Sequence, residues 1–340
     1  MDPLSQGTLG AIAPQMIISR KRLGVAALFG LFAGIAPDLD VLIRSEEDPL
    51  MVLEYHRQFT HSLIFIPIGG LIIGFLMYWL FGRRWGINFK LSWLICSLGL
   101  GTHGLLDACT SYGTVMFWPF SEIRVAWSII SIVDPLFTIP ILLFLILAII
   151  RKSKLLVYMG IFWLTAYLLL ATYNRNTALE MVTEIAEERG HKTKKLDVKP
   201  SFANIWVWKT IYEYKNIFYV DAVHAGPKRV VFRGSSTPKL NINRDLPWLS
   251  MDSQQAKDIE RFKWFSMGYV AIEANRPLHI GDIRYSALPE KIASLWSIKL
   301  DRNASPDQHI KYVTHRNFRK TNMARLWQMI ASGWNLIFLN

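Results

Sequence analysis

Residues 62–81, SLIFIPIGGLIIGFLMYWLF, are twenty consecutive positions without a charged side chain. A helix of this length crosses the roughly 30 Å hydrocarbon core of a bilayer, so the stretch predicts a transmembrane helix. Trp127–Ile150 and Leu155–Tyr173 are similarly long and apolar, apart from Asp134 in the former. The chain is therefore predicted to be a polytopic α-helical membrane protein.

Three weaker segments complete the predicted membrane domain. Leu91–Ala108 is apolar but carries polar groups at its far end, and Leu23–Ala36 and Leu4–Ser19 are shorter runs of small apolar residues. We interpret the two short runs as a helical hairpin; the alternative is a pair of buried or interfacial helices. The predicted total is five to six membrane helices.

Basic residues predict the orientation, because Lys and Arg in short loops are retained in the cytoplasm. Three clusters connect the predicted helices: Arg20-Lys21-Arg22, Arg83-Arg84 with Lys90, and Arg151-Lys152 with Lys154. If all three are cytoplasmic, residues 37–61, 109–126 and 174–340 lie on the other side. We expect a multi-pass membrane protein with residues 174–340 on the non-cytoplasmic side.

The second half of the chain differs in composition and charge. Residues 1–173 hold 12 Lys and Arg against 10 Asp and Glu, whereas residues 174–340 hold 26 against 16. We predict a membrane-embedded domain over 1–173 and a soluble α+β domain over 174–340. A basic domain tethered to a bilayer favours anionic lipid head groups, and the scattered Lys and Arg match no nucleic-acid module, so no nucleic acid is expected as a partner.

The predicted soluble domain mixes both kinds of secondary structure. Thr177–Arg189 has helical spacing. Four other segments are rich in the β-branched and aromatic residues that favour strands, and the last is predicted to be a strand pair: Ala203–Tyr214, Ile217–Val223, Arg229–Phe232 and Arg261–Ile272.

Two loops carry side chains that suit a metal ion. Asp38 and Asp40 follow the predicted hairpin and can converge on one cation; the alternative is an acidic surface loop. His56 and His61 precede residues 62–81, and neutral imidazole is the commonest side-chain metal ligand; the alternative is two interfacial histidines. Arg57 between them offers a planar fork for a phosphate or carboxylate.

A third pair lies within the apolar segment 91–108. His103 and Asp107 are four residues apart, so they share one helix face. Ionisable groups inside a membrane segment indicate a functional site by default, although a helix-end pair bonded to backbone groups is the alternative. Asp134 either orients a histidine or caps a helix before Pro135.

Four hydroxyl side chains near these groups are candidates for supporting roles. Thr60 adjoins His61 and is predicted to support a ligand. Thr110, Ser111 and Tyr112 follow Asp107 and are predicted to contact substrate, with ordinary turn chemistry as the alternative.

The predicted topology, drawn from basic residues alone, places all the Asp and His groups on the same side of the membrane. Chance placement would scatter them across both faces. We therefore predict one site for a divalent metal, zinc or manganese, with these ligands: Asp38, Asp40, His56, His61, His103 and Asp107. With a metal, such a cluster can lower the pKa of water and polarise an ester or phosphoester.

The same motifs resemble a known family. MDPLSQGTLGA, GLFAGIAPDLDVL, DPLMVLEYHRQFTHSL, THGLLDACTSYGTVMFWPFS and IVDPLFTIP, in this order over about residues 1–173, resemble the YdjM-like, LexA-regulated inner-membrane proteins, which are thought to be metal-dependent hydrolases. IWVWK at 205–209 and RFKWF at 261–265 resemble the soluble extension of the long subgroup.

The resemblance implies a location in the bacterial inner (plasma) membrane, a fold distantly similar to zinc-dependent phospholipase C, a zinc-type site and a phosphoester substrate. Carried over position by position, it implies the same six ligands. Many members have a histidine where this chain has Gln6. If that histidine is a ligand, this chain has lost it or replaced it with an amide oxygen.

The expected function is a membrane-bound metal-dependent hydrolase acting on a lipid or envelope phosphoester or ester through a metal-activated water. Arg57 would stabilise the oxyanion, and Asp38 or Asp40 would act as general base. The alternatives are an ion-binding membrane transport protein and a scaffold with a structural metal. The polar groups gather at one face instead of lining a path across the membrane, which favours the hydrolase.

Overall fold

The structure is a computed structural model that describes residues 1–315 and 320–334. The chain forms two compact units. The first comprises Met1–Ile43, Tyr55–Thr172 and Phe202–Asn204, and the second comprises Arg44–Glu54, Tyr173–Ser201 and Ile205–Asn340.

The first half of the chain is built from helices. They are α1 (Pro3–Gln15), α2 (Leu23–Ile35), α3 (Met51–Tyr55), α4 (Phe65–Met77), α5 (Phe89–Ala108), α6 (Pro135–Arg151) and α7 (Lys154–Glu188). A 3-10 turn, Ala36–Leu42, follows α2, a second, Phe59–His61, precedes α4, and a π-helical turn, Tyr78–Gly82, extends α4. The side chains of Asp2 and Asn88 begin α1 and α5 by accepting hydrogen bonds from free backbone N–H groups.

Three segments of the described chain are long and apolar enough to cross a membrane: Arg20–Leu42, Phe65–Gly82 and Lys154–Glu188. The 17-residue helix α6 is apolar but shorter. The predicted count of five to six membrane helices is therefore not confirmed. The large apolar side chains exposed along α4, α6 and α7 are those expected of helices that face lipid.

The predicted membrane helix Trp127–Ile150 is wrong at its start, because α6 begins only at Pro135. The Asp134 side chain caps this helix by accepting from the Phe137 N–H, and proline is favoured at the first helical position. Residues 127–130 instead form an irregular segment, in which Ser128 has a positive φ of 52°. Their N–H groups donate to backbone carbonyls at the end of α5, including Trp127 to Ala108 at 2.7 Å.

Helices α1, α2 and α5 pack through glycines at backbone distance. A Cβ atom at Gly10 would lie 2.5 Å from the Gly30 carbonyl oxygen, and one at Gly34 would lie 2.7 Å from the Gln6 carbonyl oxygen. A Cβ atom at Gly99 would lie 2.7 Å from the Gly30 oxygen. Only glycine permits this approach, which is typical of helix contacts in membranes.

The second unit contains two four-stranded antiparallel sheets, each in sequential order. The first sheet is β1 (Lys195–Pro200), β2 (Val207–Tyr214), β3 (Ile217–Ala225) and β4 (Arg229–Pro238); the second is β5 (Val270–Glu273), β6 (Arg276–Asp282), β7 (Trp296–Lys299) and β8 (Lys311–Thr314). Helices α8 (Ile242–Asp245), α9 (Gln254–Phe265) and α10 (Lys320–Ser332) accompany them. Residues from both sheets and from the segments beside them share one core: Ile211, Phe218, Val220, Tyr269, Ala271 and Ile283.

Local patterns in this unit were partly misleading. The predicted strand pair Arg261–Ile272 is wrong, because α9 occupies its first half and a strand forms only at Val270–Glu273. Phe262 and Phe265 of that stretch are buried on one face of α9, a spacing that the strand interpretation overlooked. Thr177–Arg189 is helical to Glu188 as predicted, and it continues α7 without a break.

Candidate metal centre

Three elements of the first unit bring the candidate ligands together. The turn after α2 carries Asp38, the turn before α4 carries His61, and α5 carries His103 and Asp107. Each of these four residues offers one ligand atom, and all four atoms lie within 4.8 Å of one another. The side chains of His61, His103 and Asp107 are fully buried, and that of Asp38 is 21% exposed. The cluster therefore meets solvent at Asp38.

The spacing within this quartet suits a tetrahedral metal ion. Nε2 of His61 lies 2.9 Å from Nε2 of His103, 3.3 Å from Asp107 Oδ2 and 3.5 Å from Asp38 Oδ1. Nε2 of His103 lies 3.4 Å from Asp38 Oδ1 and 3.7 Å from Asp107 Oδ2. Zinc bonds of roughly 2.0–2.1 Å place tetrahedral ligands about 3.3 Å apart. The observed separations scatter around that value.

Both histidines are oriented through their other ring nitrogen. His103 Nδ1 lies 2.6 Å from the Gly34 carbonyl oxygen, which can only accept, so Nδ1 carries the proton and Nε2 presents a lone pair to the cluster. His61 Nδ1 lies 3.2 Å from Asp40 Oδ2 and 2.9 Å from Thr60 Oγ1. A hydrogen bond at the far nitrogen is the usual way in which proteins orient histidine ligands.

Asp40 makes several of the hydrogen bonds that surround the quartet. It is buried, and its Oδ2 accepts hydrogen bonds from Thr60 Oγ1 at 2.7 Å and from the Arg57 N–H at 3.1 Å. Its Oδ1 lies 2.7 Å from His56 Nδ1. Asp38, Asp40 and His56 form a second group able to hold a cation, so Asp38 belongs to both groups. All six residues predicted as ligands therefore lie in one connected cluster.

Arg57 adopts a backbone conformation that is unusual for a residue other than glycine. Its φ is 66°, which costs of order 1–3 kcal/mol, and hydrogen bonds from its N–H to Asp40 and from the Val115 N–H to its carbonyl hold it there. The buried guanidinium lies 2.9 Å from Asp107 Oδ2 through Nε and donates to Thr110 Oγ1 at 3.1 Å. Arg57 thus contacts one of the candidate ligands directly.

Asp107 also retains capacity for a cation. Its Oδ1 accepts from Gln6 Nε2 at 2.9 Å and is paired with the Met1 amino group. Its buried Oδ2 accepts no well-aligned hydrogen bond from the described part of the chain, despite the nearby guanidinium. Three carboxylates in this cluster face the guanidinium of Arg57, which leaves negative charge that a divalent cation can neutralise.

The carboxylates also perturb His61. Burial by itself would lower the pKa of this imidazole, but hydrogen bonds to Asp107, Asp38 and Asp40 outweigh burial and raise the pKa of His61 to about 10. The cluster therefore stabilises positive charge at this position.

The other predicted site residues have different surroundings. Asp134 caps α6 and accepts from the Tyr167 hydroxyl at 2.8 Å, which matches the capping alternative. Thr110 is buried and donates to the Asp107 carbonyl oxygen at 2.7 Å, so its contacts are with Arg57 and α5. Ser111 is buried beside it. Substrate contact by either residue stays a prediction.

Sequence patterns did not identify one other contributor, and for Tyr112 they predicted contact with substrate and not its contact with Arg57. The Gly34 carbonyl that orients His103 is a backbone atom, and backbone atoms leave no side-chain signal. Tyr112 lies beneath Arg57, with the guanidinium carbon 4.7 Å from its ring centre. Gln6 was noted only as a departure from the family pattern, and the structure places its amide against Asp107.

Apolar helices enclosing a carboxylate–histidine cluster define the class: a helical membrane protein with a candidate metal centre. The chain belongs to the YdjM inner membrane protein family, whose model matches residues 1–178.

Two curated relatives resemble parts of the chain. A 130-residue segment is 29% identical to "Uncharacterized protein YfhP" of Bacillus subtilis (strain 168), covering 37% of this chain and 38% of that protein. A 111-residue segment is 35% identical to "Inner membrane protein YbcI" of Escherichia coli (strain K12), covering 30% of this chain and 61% of that protein. The match thus spans less than two thirds of either relative. No solved structure matches the chain.

Proposed function

We propose that this protein is a membrane-bound, metal-dependent hydrolase that acts on a phosphoester or ester of a lipid or envelope component. The observation that carries the proposal is the quartet of Asp38, His61, His103 and Asp107, whose ligand atoms lie within 4.8 Å of one another. Both imidazoles are oriented by contacts at Nδ1, the ring nitrogen that points away from the cluster. Two imidazoles and two carboxylates suit zinc, and also manganese. When bound, such an ion supplies a Lewis acid for hydrolysis.

The residues around the quartet support distinct roles in this proposal. Asp38 is the most exposed of the four, so a substrate reaches the cluster beside a carboxylate able to take a proton from water. Arg57 holds Asp107 and places positive charge where negative charge develops on the reacting ester. Asp40 and Thr60 keep His61 oriented.

Metal content and turnover of detergent-purified full-length protein test the proposal together. We expect bound zinc or manganese, and hydrolysis of bis(p-nitrophenyl) phosphate or of a phospholipid. His103→Ala and Asp107→Asn should lose both the metal and the turnover. His309→Gln, a histidine change in the second unit, should keep both.

The alternatives give different results in the same preparation. A protein that takes up no metal even after loading would overturn the proposal. Bound metal without turnover, together with ion flux into proteoliposomes, would indicate a transport protein. Unfolding on chelation with no turnover would indicate a scaffold with a structural metal.

We also propose that the metal centre and the C-terminal unit face the non-cytoplasmic side, because the three basic clusters suit cytoplasmic loops. Reporter fusions after Glu46 and after Asn340 should show activity of a periplasmic reporter such as alkaline phosphatase. Fluorescence of a cytoplasm-dependent reporter at those positions would contradict this orientation.

A further inference from the structure

A second cluster of metal-ligating side chains lies on the second sheet of the C-terminal unit. Glu273 ends β5, His279 lies on β6, and His315 follows β8 directly. One ligand atom from each lies within 4.8 Å of the others. Two histidines and one glutamate are a common zinc ligand set that leaves a coordination position open.

Ser297 on β7 contacts both histidines of this cluster. Its side chain is buried, and its Oγ lies 3.1 Å from His279 Nδ1 and 3.0 Å from His315 Nε2. Ser297 therefore holds one histidine by its Nδ1 and leaves the opposite nitrogen available, as expected of an oriented ligand.

Glu273 has an unpaired oxygen at the same place. Its Oε1 is buried and has no hydrogen-bond partner within the described chain, which is unfavourable for a carboxylate unless a cation is bound there. Both Glu273 and His315 line a cavity of about 620 Å³ between β4, the β5–β6 turn and residues 287–295. The open coordination position would thus adjoin a space large enough for a small molecule.

Arg276 contacts this cluster directly. Its Nη1 lies 2.8 Å from both ring nitrogens of His315 and 3.5 Å from Glu273 Oε2. The side chain is 47% exposed, so it can turn into solvent when another cation arrives. Arg276 also lines the cavity, where its charge suits an anionic ligand.

We propose that Glu273, His279 and His315 bind a divalent transition-metal ion such as zinc, with Ser297 as the positioning residue and the cavity beside the ion open to a small anionic ligand. This site shares no residue with the candidate metal centre of the first unit, and it does not depend on the hydrolase proposal.

Zinc titration of full-length protein in detergent tests the site, with stoichiometry measured by elemental analysis after dialysis. His279→Ala/His315→Ala should bind one equivalent less than the native chain. Ser297→Ala removes an orienting partner and should weaken the zinc affinity of this site by about 10- to 100-fold. Glu273→Gln keeps the size of the side chain but removes a ligand, so it should weaken the zinc affinity further. His309→Gln is the matched control and should bind as the native chain does.

Two further variants distinguish this site from the membrane centre and from a simple anion site. His103→Ala should leave this equivalent in place, so failure of the membrane centre is distinguishable from failure here. Arg276→Gln removes a competing charge and should tighten zinc binding. The proposal would be overturned if Glu273→Gln and the double histidine variant both kept the zinc stoichiometry and affinity of the native chain. It would also be overturned if the native chain bound phosphate but no zinc, and Arg276→Gln abolished the phosphate binding.

Discussion

At the scale of single residues, Asp40 is a predicted ligand that also contacts and orients another candidate ligand, His61. Its two oxygens contact His56, Thr60, the Arg57 backbone and the far nitrogen of His61. A carboxylate shared in this way fixes the tautomer and the direction of an imidazole. Asp40 therefore organises the quartet even though it belongs to the second group of candidate ligands.

Asp40→Asn should weaken metal binding by about 10- to 100-fold. The substitution replaces one carboxylate oxygen with an NH₂ group, which donates hydrogen bonds and cannot accept them. The measurement is competition with a metal-binding dye on purified protein. Glu46→Gln, an exposed change in the nearby loop, serves as the control and should bind metal normally. Equal affinities for Asp40→Asn and the native chain would remove Asp40 from the support of the site.

At the scale of elements, the glycine contacts among α1, α2 and α5 determine where the site forms. Gly34 is both a point of close helix approach and the residue whose carbonyl accepts from His103. A Cβ atom at Gly104 would lie 2.4 Å from the His61 carbonyl oxygen, so α5 also approaches the turn that carries His61 at backbone distance. Helix packing and ligand orientation therefore depend on the same small residues.

Gly34→Ala should destabilise the protein by about 1–3 kcal/mol and also reduce metal binding, since the added methyl group must push α1 away from α2. Gly24→Ala in the same helix is the matched control, because its Cβ would meet its nearest neighbour at an ordinary 3.6 Å. Thermal unfolding and metal content of the two variants give the comparison. Similar behaviour of both variants would show that the close approach does not matter.

Strand β2 carries a buried lysine in the C-terminal unit. Lys209 Nζ donates to Ser286 Oγ at 2.8 Å and to the Lys291 carbonyl oxygen at 2.6 Å. Burial lowers the pKa of Lys209 to about 7. Between about pH 7 and the ordinary lysine pKa near 10.4, the unfolded chain therefore holds a proton that the folded chain has released.

The free energy of unfolding should rise with pH across this window, by up to about 1.4 kcal/mol per pH unit for this one group. Lys209→Met should flatten that slope, and Lys257→Met, a change of an exposed lysine on α9, should leave it unchanged. Unfolding of the full-length chain in denaturant at a series of pH values provides the test. If Lys209→Met keeps the native slope, burial of this amine does not control the pH dependence.

At the scale of the whole molecule, the distribution of exposed apolar side chains indicates which part of the chain lies in lipid. The candidate spans are only 22–44% buried within the protein, although their side chains are apolar. In water this surface would drive aggregation, whereas in a bilayer it is solvated by acyl chains. The second unit instead buries its apolar residues between its sheets.

A charge on the lipid-facing surface should impair membrane insertion. Ile72 on α4 is 59% exposed, and Ile72→Lys should disfavour insertion of this helix by about 3 kcal/mol. Met251→Lys, at a similarly exposed position of the second unit, should have no such effect. The readout is the fraction of protein that stays with membranes after an alkaline carbonate wash; equal retention of both variants would contradict the assignment of α4.

Local features of this protein follow from its amino-acid sequence alone. Length and apolarity marked residues 62–81 and 155–173 as membrane helices, because the bilayer imposes a minimum length that is visible in one dimension. The i,i+4 spacing of His103 and Asp107 and the paired acids at 38 and 40 selected the candidate ligands, since these residue types in apolar surroundings have few structural roles.

What each of these residues contacts depends on tertiary packing. The Asp134 cap and Pro135 mark the start of α6 locally, whereas the path of residues 127–130 depends on backbone hydrogen bonds to residues 108–110, which the sequence around Trp127 does not reveal. The strand assigned to Arg261–Ile272 failed because aromatic residues fit a helix face as well as a strand. The orientation of His103 by Gly34, and the grouping of Glu273 with His279 and His315, join residues far apart in the chain, and such contacts arise only when helices and strands pack.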